Sequence, residues 1–288
     1  MKKMMILATL VLVYATTFAQ KKEKVEKDIP TYYGKIRLMT NWEKKDSLNP
    51  GKNAELSANG VYGGFAYDLT ITQPFDNKRN WGLRQMKTVT LGYGINKKIS
   101  YGQRVLDDKS YHLAAGIGPT LMLTPKPDSV KKKNNNDMFL GATIFADIIG
   151  EQSGVEADAK LMYVFLPANN DTVWSENVFS PEIQVKKFFG GIFGISAGWR
   201  MLFYSTSERQ VQGRPYHGTA ITQTRSEISL GLCAKFRSIT FMSGVIIPRE
   251  RYKIADNSGA RATNFFEAKT GKTVLSIGLQ IDFANPPK

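Results

Sequence analysis

The chain has 288 residues, a single cysteine and a formal net charge of +14 at pH 7. Because Cys233 has no second cysteine to pair with, an intramolecular disulfide and a cysteine-based metal cluster are both excluded. A chain this basic raises the possibility of nucleic-acid binding, but the export signal at its N-terminus argues against nucleic acid as a partner.

Residues 1–19 have the layout of a secretory signal peptide. Lys2 and Lys3 give a positive start, 4–17 is mostly apolar, and Thr17-Phe18-Ala19 places small residues at the −3 and −1 positions of a cut before Gln20. The apolar stretch is too short for a transmembrane helix, although an uncleaved helical anchor is the alternative. We expect residues 1–19 to be removed, which lowers the charge to +12 because two lysines are lost.

Residues 20–31 are rich in charge, and we expect them to form a flexible N-terminal segment. From Tyr32 onward, nearly every segment alternates apolar with small or polar residues. Because residues two apart project from the same side of a strand, each segment predicts a strand with one apolar and one polar face. The predicted strands, in chain order, are 32–42, 61–71, 89–95, 113–123, 138–148, 155–165, 179–185, 193–203, 227–236, 239–247 and 275–283.

The last predicted strand shows the pattern most clearly. Its apolar face is Leu275, Ile277, Leu279, Ile281 and Phe283, and its polar face is Ser276, Gly278, Gln280 and Asp282. A soluble β-sandwich or soluble barrel also alternates, so other features must separate it from a membrane barrel.

Three features favour the membrane barrel. Most predicted strands run for roughly 10 to 14 residues, which is enough for a tilted strand to cross a bilayer. Their polar faces carry glycine, serine, threonine and charge, as a wet lumen does, and aromatic residues gather toward strand ends.

The links between predicted strands alternate in length. Short links fall at 107–109, 150–153, 190–191 and 237–238, and long polar links at 124–136, 167–177, 205–223 and 249–272. Periplasmic turns and extracellular loops produce this alternation in a barrel, whereas a sandwich has no reason to keep it.

Several segments resemble those of porin-family outer-membrane β-barrels of Gram-negative envelopes. They are the Phe18-Ala19-Gln20 junction, the glycine-rich segments Leu91-Gly92-Tyr93-Gly94 and Ala115-Gly116-Ile117-Gly118-Pro119, and the last strand. The resemblance implies an all-β, antiparallel, up-and-down transmembrane barrel over residues 32–283 in the cell outer membrane, followed by a short tail at 284–288. It also implies that barrel insertion machinery reads the final strand, whose aromatic end here is Phe283.

The strand number follows from a parity rule, because an antiparallel barrel with both ends on one side of the membrane needs an even count. Counting from Val61, with 87–105 as one strand, gives ten. Including 32–42, and turning the chain at 96–98, gives twelve, which we favour.

Charged residues fall on the predicted inward faces. The candidate lumen-lining residues are Lys35, Arg37, Asp68, Asp147, Glu156, Asp158, Lys160, Glu182, Lys186, Arg200, Glu227, Lys235 and Asp282. Their signs nearly balance, so the wall by itself predicts no strong ion preference. In a barrel of ten or twelve strands, side chains can fill much of the interior.

No catalytic, cofactor-binding or metal-ligating set is predicted. Outer-membrane phospholipases use a serine and a histidine, but neither His112, on an inward face, nor His217, in a long link, has a visible serine partner. The group Glu156, Asp158 and Lys160 shares one face and predicts ion pairs with neighbouring strands.

Three functions remain open: a porin-like channel for small solutes, a non-conducting structural or partner-binding barrel of the envelope, and a barrel enzyme acting on lipid. An envelope protein partner would bind through loops such as 249–272. The basic residues of that loop, and Lys126 with Lys131-Lys132-Lys133, are either solvated or in contact with anionic lipid head groups.

Expressed in a Gram-negative host, the mature protein should begin at Gln20, because signal peptidase needs small residues at −3 and −1. The intact mass of protein from the membrane fraction measures this. Ala19→Arg should leave the precursor uncut, while Lys21→Ala, just beyond the cut, should not. Wild-type protein that retains residues 1–19 would favour the uncleaved anchor.

Overall fold

The computed structural model describes residues 32–42, 52–74, 86–100, 110–125, 136–150, 154–166, 174–208, 219–256, 263–270 and 273–284. The regular structure in these ranges consists of β-strands. No helix within them is long and apolar enough to span a membrane.

The strands are β1 Tyr32–Trp42, β2 Lys52–Tyr62, β3 Phe65–Pro74, β4 Lys87–Ser100, β5 Ser110–Pro125, β6 Asn136–Gly150, β7 Val155–Leu166, β8 Trp174–Phe189, β9 Phe193–Glu208, β10 Thr219–Phe236, β11 Ile239–Asp256, β12 Thr263–Thr270 and β13 Val274–Ala284.

The strands form one closed antiparallel barrel. From β1 to β11 each strand pairs with the next along the chain, β11 pairs with β13, and β13 returns to β1. The short strand β12 lies beside the second half of β11 and therefore adds no position to the ring. Within the described residues the ring has twelve strands, so the predicted fold class and the favoured count are confirmed.

Two of the predictions that gave a count of twelve strands are wrong. The predicted strand 61–71 is interrupted by a tight turn at Gly63 and Gly64, whose φ angles are 56° and 85°, and β2 precedes it unpredicted. The left-handed region favours glycine because it has no Cβ. The turn predicted at 96–98 does not occur, since β4 pairs with β5 throughout that stretch.

The predicted long link 249–272 is also corrected, because it contains the end of β11 and all of β12. Pro248 lies where β11 changes partner: residues 239–246 pair with β13, and residues 249–256 pair with β12. Proline has no backbone N–H to donate to a ladder and so suits such a transition. The predicted link 205–223 is shorter as well, since β9 runs to Glu208 and β10 begins at Thr219.

Several predicted short links are present as turns. The chain reverses at Gly190-Gly191, where both φ angles are positive, and at Arg237-Ser238. The predicted link 107–109 lies outside the described residues. These turns stand at the end of the barrel opposite the long links, here called the turn end and the loop end.

The outer surface of the barrel is apolar. On β10, Leu230 and Leu232 are 51% and 66% exposed, whereas Cys233, on the opposite face of the strand, is 4% exposed. Other strands expose large apolar residues in the same way, among them Leu91, Ile117, Ile144, Leu161, Ile183, Ile195, Phe241 and Ile277. A water-soluble β-sandwich buries such residues in its core, so this surface is the lipid-facing side of a membrane barrel.

Exposed aromatic residues mark both ends of the apolar surface. At the turn end they are Phe65, Phe189, Phe193, Phe236 and Phe283, and at the loop end Trp42, Tyr163 and Phe165. Aromatic girdles occupy the two membrane interfaces of such barrels.

A disulfide between β1 and β13 should form if the barrel closes in this register. Thr40 and Ile277 are direct partners, and directly opposed Cα atoms lie about 4.5–5.5 Å apart, within disulfide range. In a Cys233→Ser background, the pair Thr40→Cys and Ile277→Cys should oxidise to a ring that changes the mobility of the denatured chain on a gel.

The matched control is Thr40→Cys with Leu279→Cys. Leu279 faces Leu38, so this pair is diagonal, with about 7–8 Å between the residues, and should cross-link poorly. Equal cross-linking of both pairs would contradict the register.

Candidate functional site inside the barrel

The charged residues on the inward faces meet across the barrel. Lys35 on β1 forms ion pairs with Asp147 on β6 and with Asp158 on β7, the latter at 2.5 Å. Arg37, two residues along β1, pairs with Asp158 at 2.7 Å. Because β7 lies halfway around the ring from β1, these bonds join opposite walls.

Further contacts bridge the interior at other positions. Lys160 on β7 reaches Asp68 on β3 at 2.5 Å, and Lys235 on β10 pairs with Glu156 on β7. Lys186 on β8 donates to the side-chain oxygen of Gln280 on β13 at 2.7 Å. Side chains of β1, β6, β7, β8, β10 and β13 are thus linked in one network, in addition to the pair of Lys160 with Asp68.

The network is largely shielded from water. Only 7% of Lys35, 1% of Asp147 and 1% of Lys186 is exposed. Burial of charge is costly unless each charge has a partner and further hydrogen bonds. Asp147 has both, because it pairs with Lys35 and accepts a hydrogen bond from Asn59 at 3.0 Å.

A second group of charges centres on Arg200 of β9. Its guanidinium contacts Glu55 on β2 at 2.8 Å and Glu227 on β10 at 2.8 Å. Arg225 also pairs with Glu227, at 2.7 Å. Arg200 is thus held by Glu227 on the adjacent strand and by Glu55 across the lumen.

Apolar side chains fill other parts of the interior. One cluster near the turn end contains Tyr33, Val61, Ala66, Ala114 and Phe145. Another toward the loop end contains Met122, Phe139, Met162, Val164 and Val178. The lumen along these walls is packed rather than water-filled.

A cavity of about 100 Å³ remains beside Arg200, lined by residues of β8 to β11, β13, β1 and β2. Gly198, Gly231 and Gly244 form part of its wall. A Cβ at any of the three would come within 2.6 Å of an atom of a neighbouring strand, so glycine allows the strands to approach closely there. The polar residues that line this space, here called the polar cavity, include Arg37, Asn41, Glu55, Glu182, Gln184, Arg200, Glu227 and Ser276.

The candidate lumen residues fall into two groups in the structure. Ion pairs join Lys35, Arg37, Asp68, Asp147, Glu156, Asp158, Lys160, Lys186, Arg200, Glu227, Lys235 and Asp282. Glu182 lines the polar cavity instead, and no ion pair of its carboxylate is found among the described residues.

Sequence reasoning missed Glu55, Asn59 and Arg225. Glu55 and Asn59 lie on β2, which was not predicted because its apolar residues are mostly small. The signal was nonetheless present, since Asn53, Glu55, Ser57 and Asn59 alternate with Ala54, Leu56 and Ala58, and the strand ends at a Gly-Gly turn.

His112 is buried on the inward face of β5. Its ring packs edge-on against Tyr33 at 5.3 Å between centroids, and its Nε2 forms a hydrogen bond with the Asn96 side chain. His217 lies outside the described residues. Where the structure describes the chain, it brings together no group of three potential metal ligands.

No protein-family model and no curated protein matches the chain. Solved structures that match include OmpT, an outer membrane protein of Vibrio cholerae, at 9% identity over 91% of this chain and 100% of that one, with a TM-score of 0.37. The CymD monoaromatic hydrocarbon channel matches at 8% identity over 90% of each chain, with a TM-score of 0.36. A porin matches at 10% identity over 88% of this chain and 100% of that one, with a TM-score of 0.25.

At such identities and TM-scores, these matches bear on neither substrate nor activity, and the barrel architecture rests on the strand pairing described above.

Lys35→Met should destabilise the barrel by about 3–5 kcal/mol, the usual cost of leaving a buried charge without its partner. Asp147 is the carboxylate that loses its ion-pair partner, because Asp158 still pairs with Arg37. Urea unfolding in micelles, followed by tryptophan fluorescence, measures the change.

Two further variants make this test specific. Adding Asp147→Asn to Lys35→Met should recover part of the loss, since the uncompensated charge disappears. Lys97→Met, the same substitution at an exposed position on β4, should change stability by less than about 0.5 kcal/mol. Equal losses for Lys35→Met and Lys97→Met would mean that the network contributes nothing to stability.

Proposed function

We propose that the chain is an outer-membrane barrel whose own side chains close its lumen, and that it serves the envelope as a structural or partner-binding barrel. The observation that carries this proposal is the set of buried ion pairs joining opposite walls, in particular Lys35 with Asp147 and Asp158. A wide aqueous pore would leave such charges in water.

The cell outer membrane is the location that best fits the barrel. Its apolar exterior and aromatic ends need a bilayer, and closed barrels of this type belong to outer membranes. In this proposal the segment 1–19 directs export, and barrel insertion machinery reads β13 with Phe283 near its end.

The loop end supplies the surface for a partner. There β10, β11 and β12 form a three-stranded antiparallel sheet that extends beyond the position where β13 begins. Arg249 and Arg251 are exposed on this part of β11. We assign to this sheet the contact with an envelope protein, and to its basic residues contact with anionic head groups of outer-membrane lipids.

A porin-like channel for small solutes is the second candidate, and the polar cavity favours it. Charged and polar residues of this kind line the conduction path of narrow pores. In that case the ion pairs would have to part before a solute could pass. The proposal assigns no enzymatic activity, because the contacts of His112 with Tyr33 and Asn96 account for its place in the wall.

Reconstituted in planar bilayers, the wild-type barrel should show no conductance steps, because its network bridges the lumen. Replacing Lys35, Arg37 and Lys186 together by alanine should produce small, cation-selective steps, since the remaining carboxylates would repel one another and admit water. Single-channel recording in potassium chloride measures both.

Lys97→Ala, outside the network, is the control and should show no conductance steps. A heat-dependent gel shift checks that every variant is folded. Regular conductance steps in the wild-type protein would overturn the closed lumen and leave the channel as the better candidate.

A further inference from the structure

The polar cavity carries an unbalanced negative charge. Of its lining residues, Arg200 is already held by Glu55 and Glu227, and Arg37 by Asp158. Glu182 lies on the same wall and interacts with both arginines only at longer range. Within the described ranges, no lysine or arginine makes an ion pair with its carboxylate, so the cavity has room for one more positive charge.

Three residues of the same lining carry hydrogen-bonding atoms that have no partner and almost no contact with solvent. The side-chain oxygens of Asn41 and Gln184 and the hydroxyl of Ser276 are buried and make no hydrogen bond. Asn41 and Ser276 are only 8% and 4% exposed. The amide nitrogen of Asn41 donates to Asn53 at 2.9 Å, which orients its oxygen as an acceptor.

Unpaired buried polar atoms are costly, and each calls for an explanation. Here all of them, together with the Glu182 carboxylate, can accept a hydrogen bond. The complementary ligand is therefore positively charged and rich in N–H donors. An anion would meet these acceptors unfavourably and would have to displace a carboxylate from Arg200.

We propose that the polar cavity binds a small organic ammonium ion, with Glu182 as the charge partner and Asn41, Gln184 and Ser276 as acceptors. A space of about 100 Å³ holds several water molecules, and hence an amine of a few non-hydrogen atoms. A divalent metal fits less well, because the described acidic side chains do not converge on a metal-ligating group.

The inference is independent of whether the lumen conducts. A closed barrel could retain such an ion as a structural ligand, and a channel could use the site as a binding step. A binding measurement is therefore sufficient to test the site.

Calorimetric titration of the folded barrel in micelles tests the site, with ethanolammonium chloride as the ligand at neutral pH. We expect saturable binding that sodium chloride, sodium acetate and ethanol do not reproduce. Glu182→Gln should weaken it about tenfold or more, because the acceptor loses its negative charge although a side-chain oxygen remains. Gln184→Leu should weaken it less, since a neutral acceptor is removed.

The matched control is Asp282→Asn, which makes the same carboxylate-to-amide change inside the barrel but away from the polar cavity. In this variant Lys235, the ion-pair partner of Asp282, still pairs with Glu156. Ammonium binding should therefore be unchanged. No binding to the wild-type barrel, equal affinity in Glu182→Gln, or tighter binding of acetate would each overturn the proposal. Conductance by a wild-type barrel that still binds the amine would overturn only the closed lumen.

Discussion

Inside a bilayer no water is available to backbone N–H and C=O groups, so each strand must be paired along both edges. In this protein the requirement is met by β1, which pairs with β2 on one side and with β13 on the other. The contact between the first and last strands turns an open sheet into a ring. The apolar exterior and the enclosed polar interior both depend on that closure.

Closure also explains why so much charge lies inside. A lipid-facing exterior takes the apolar residues of each strand, so their polar neighbours project inward. In a ring of twelve strands the walls are close enough for lysines and arginines to reach carboxylates opposite them, and the charges neutralise one another. The polar cavity lies beside small inward residues, among them Gly198, Gly231 and Gly244.

Particular strands show how far sequence reasoning reaches. For β7, β9, β10 and β13, long alternating runs with large outward residues were sufficient to predict both the strand and its inward face. For β2, the outward residues are mostly small (Ala54, Ala58 and Gly60), so hydrophobic periodicity was weak and Glu55 was missed with it. The turn expected at 96–98 was wrong because backbone pairing with β5 outweighs the local polar composition. The polar composition of residues 249–272 predicts a loop, yet β11 and β12 pair there.

By itself, the sequence determined the fold class, and it predicted the lipid-facing side of most strands and the charges on the opposite side. Those properties follow from a period of two, which is local to each strand. Only the tertiary structure decided that Lys35 meets Asp147 and Asp158, that Arg200 lies between Glu55 and Glu227, and that Glu182 lines a cavity without an ion pair. Partners on opposite walls are separated by more than a hundred residues in some pairs. Their meeting depends on register and ring size, which are properties of the closed barrel as a whole.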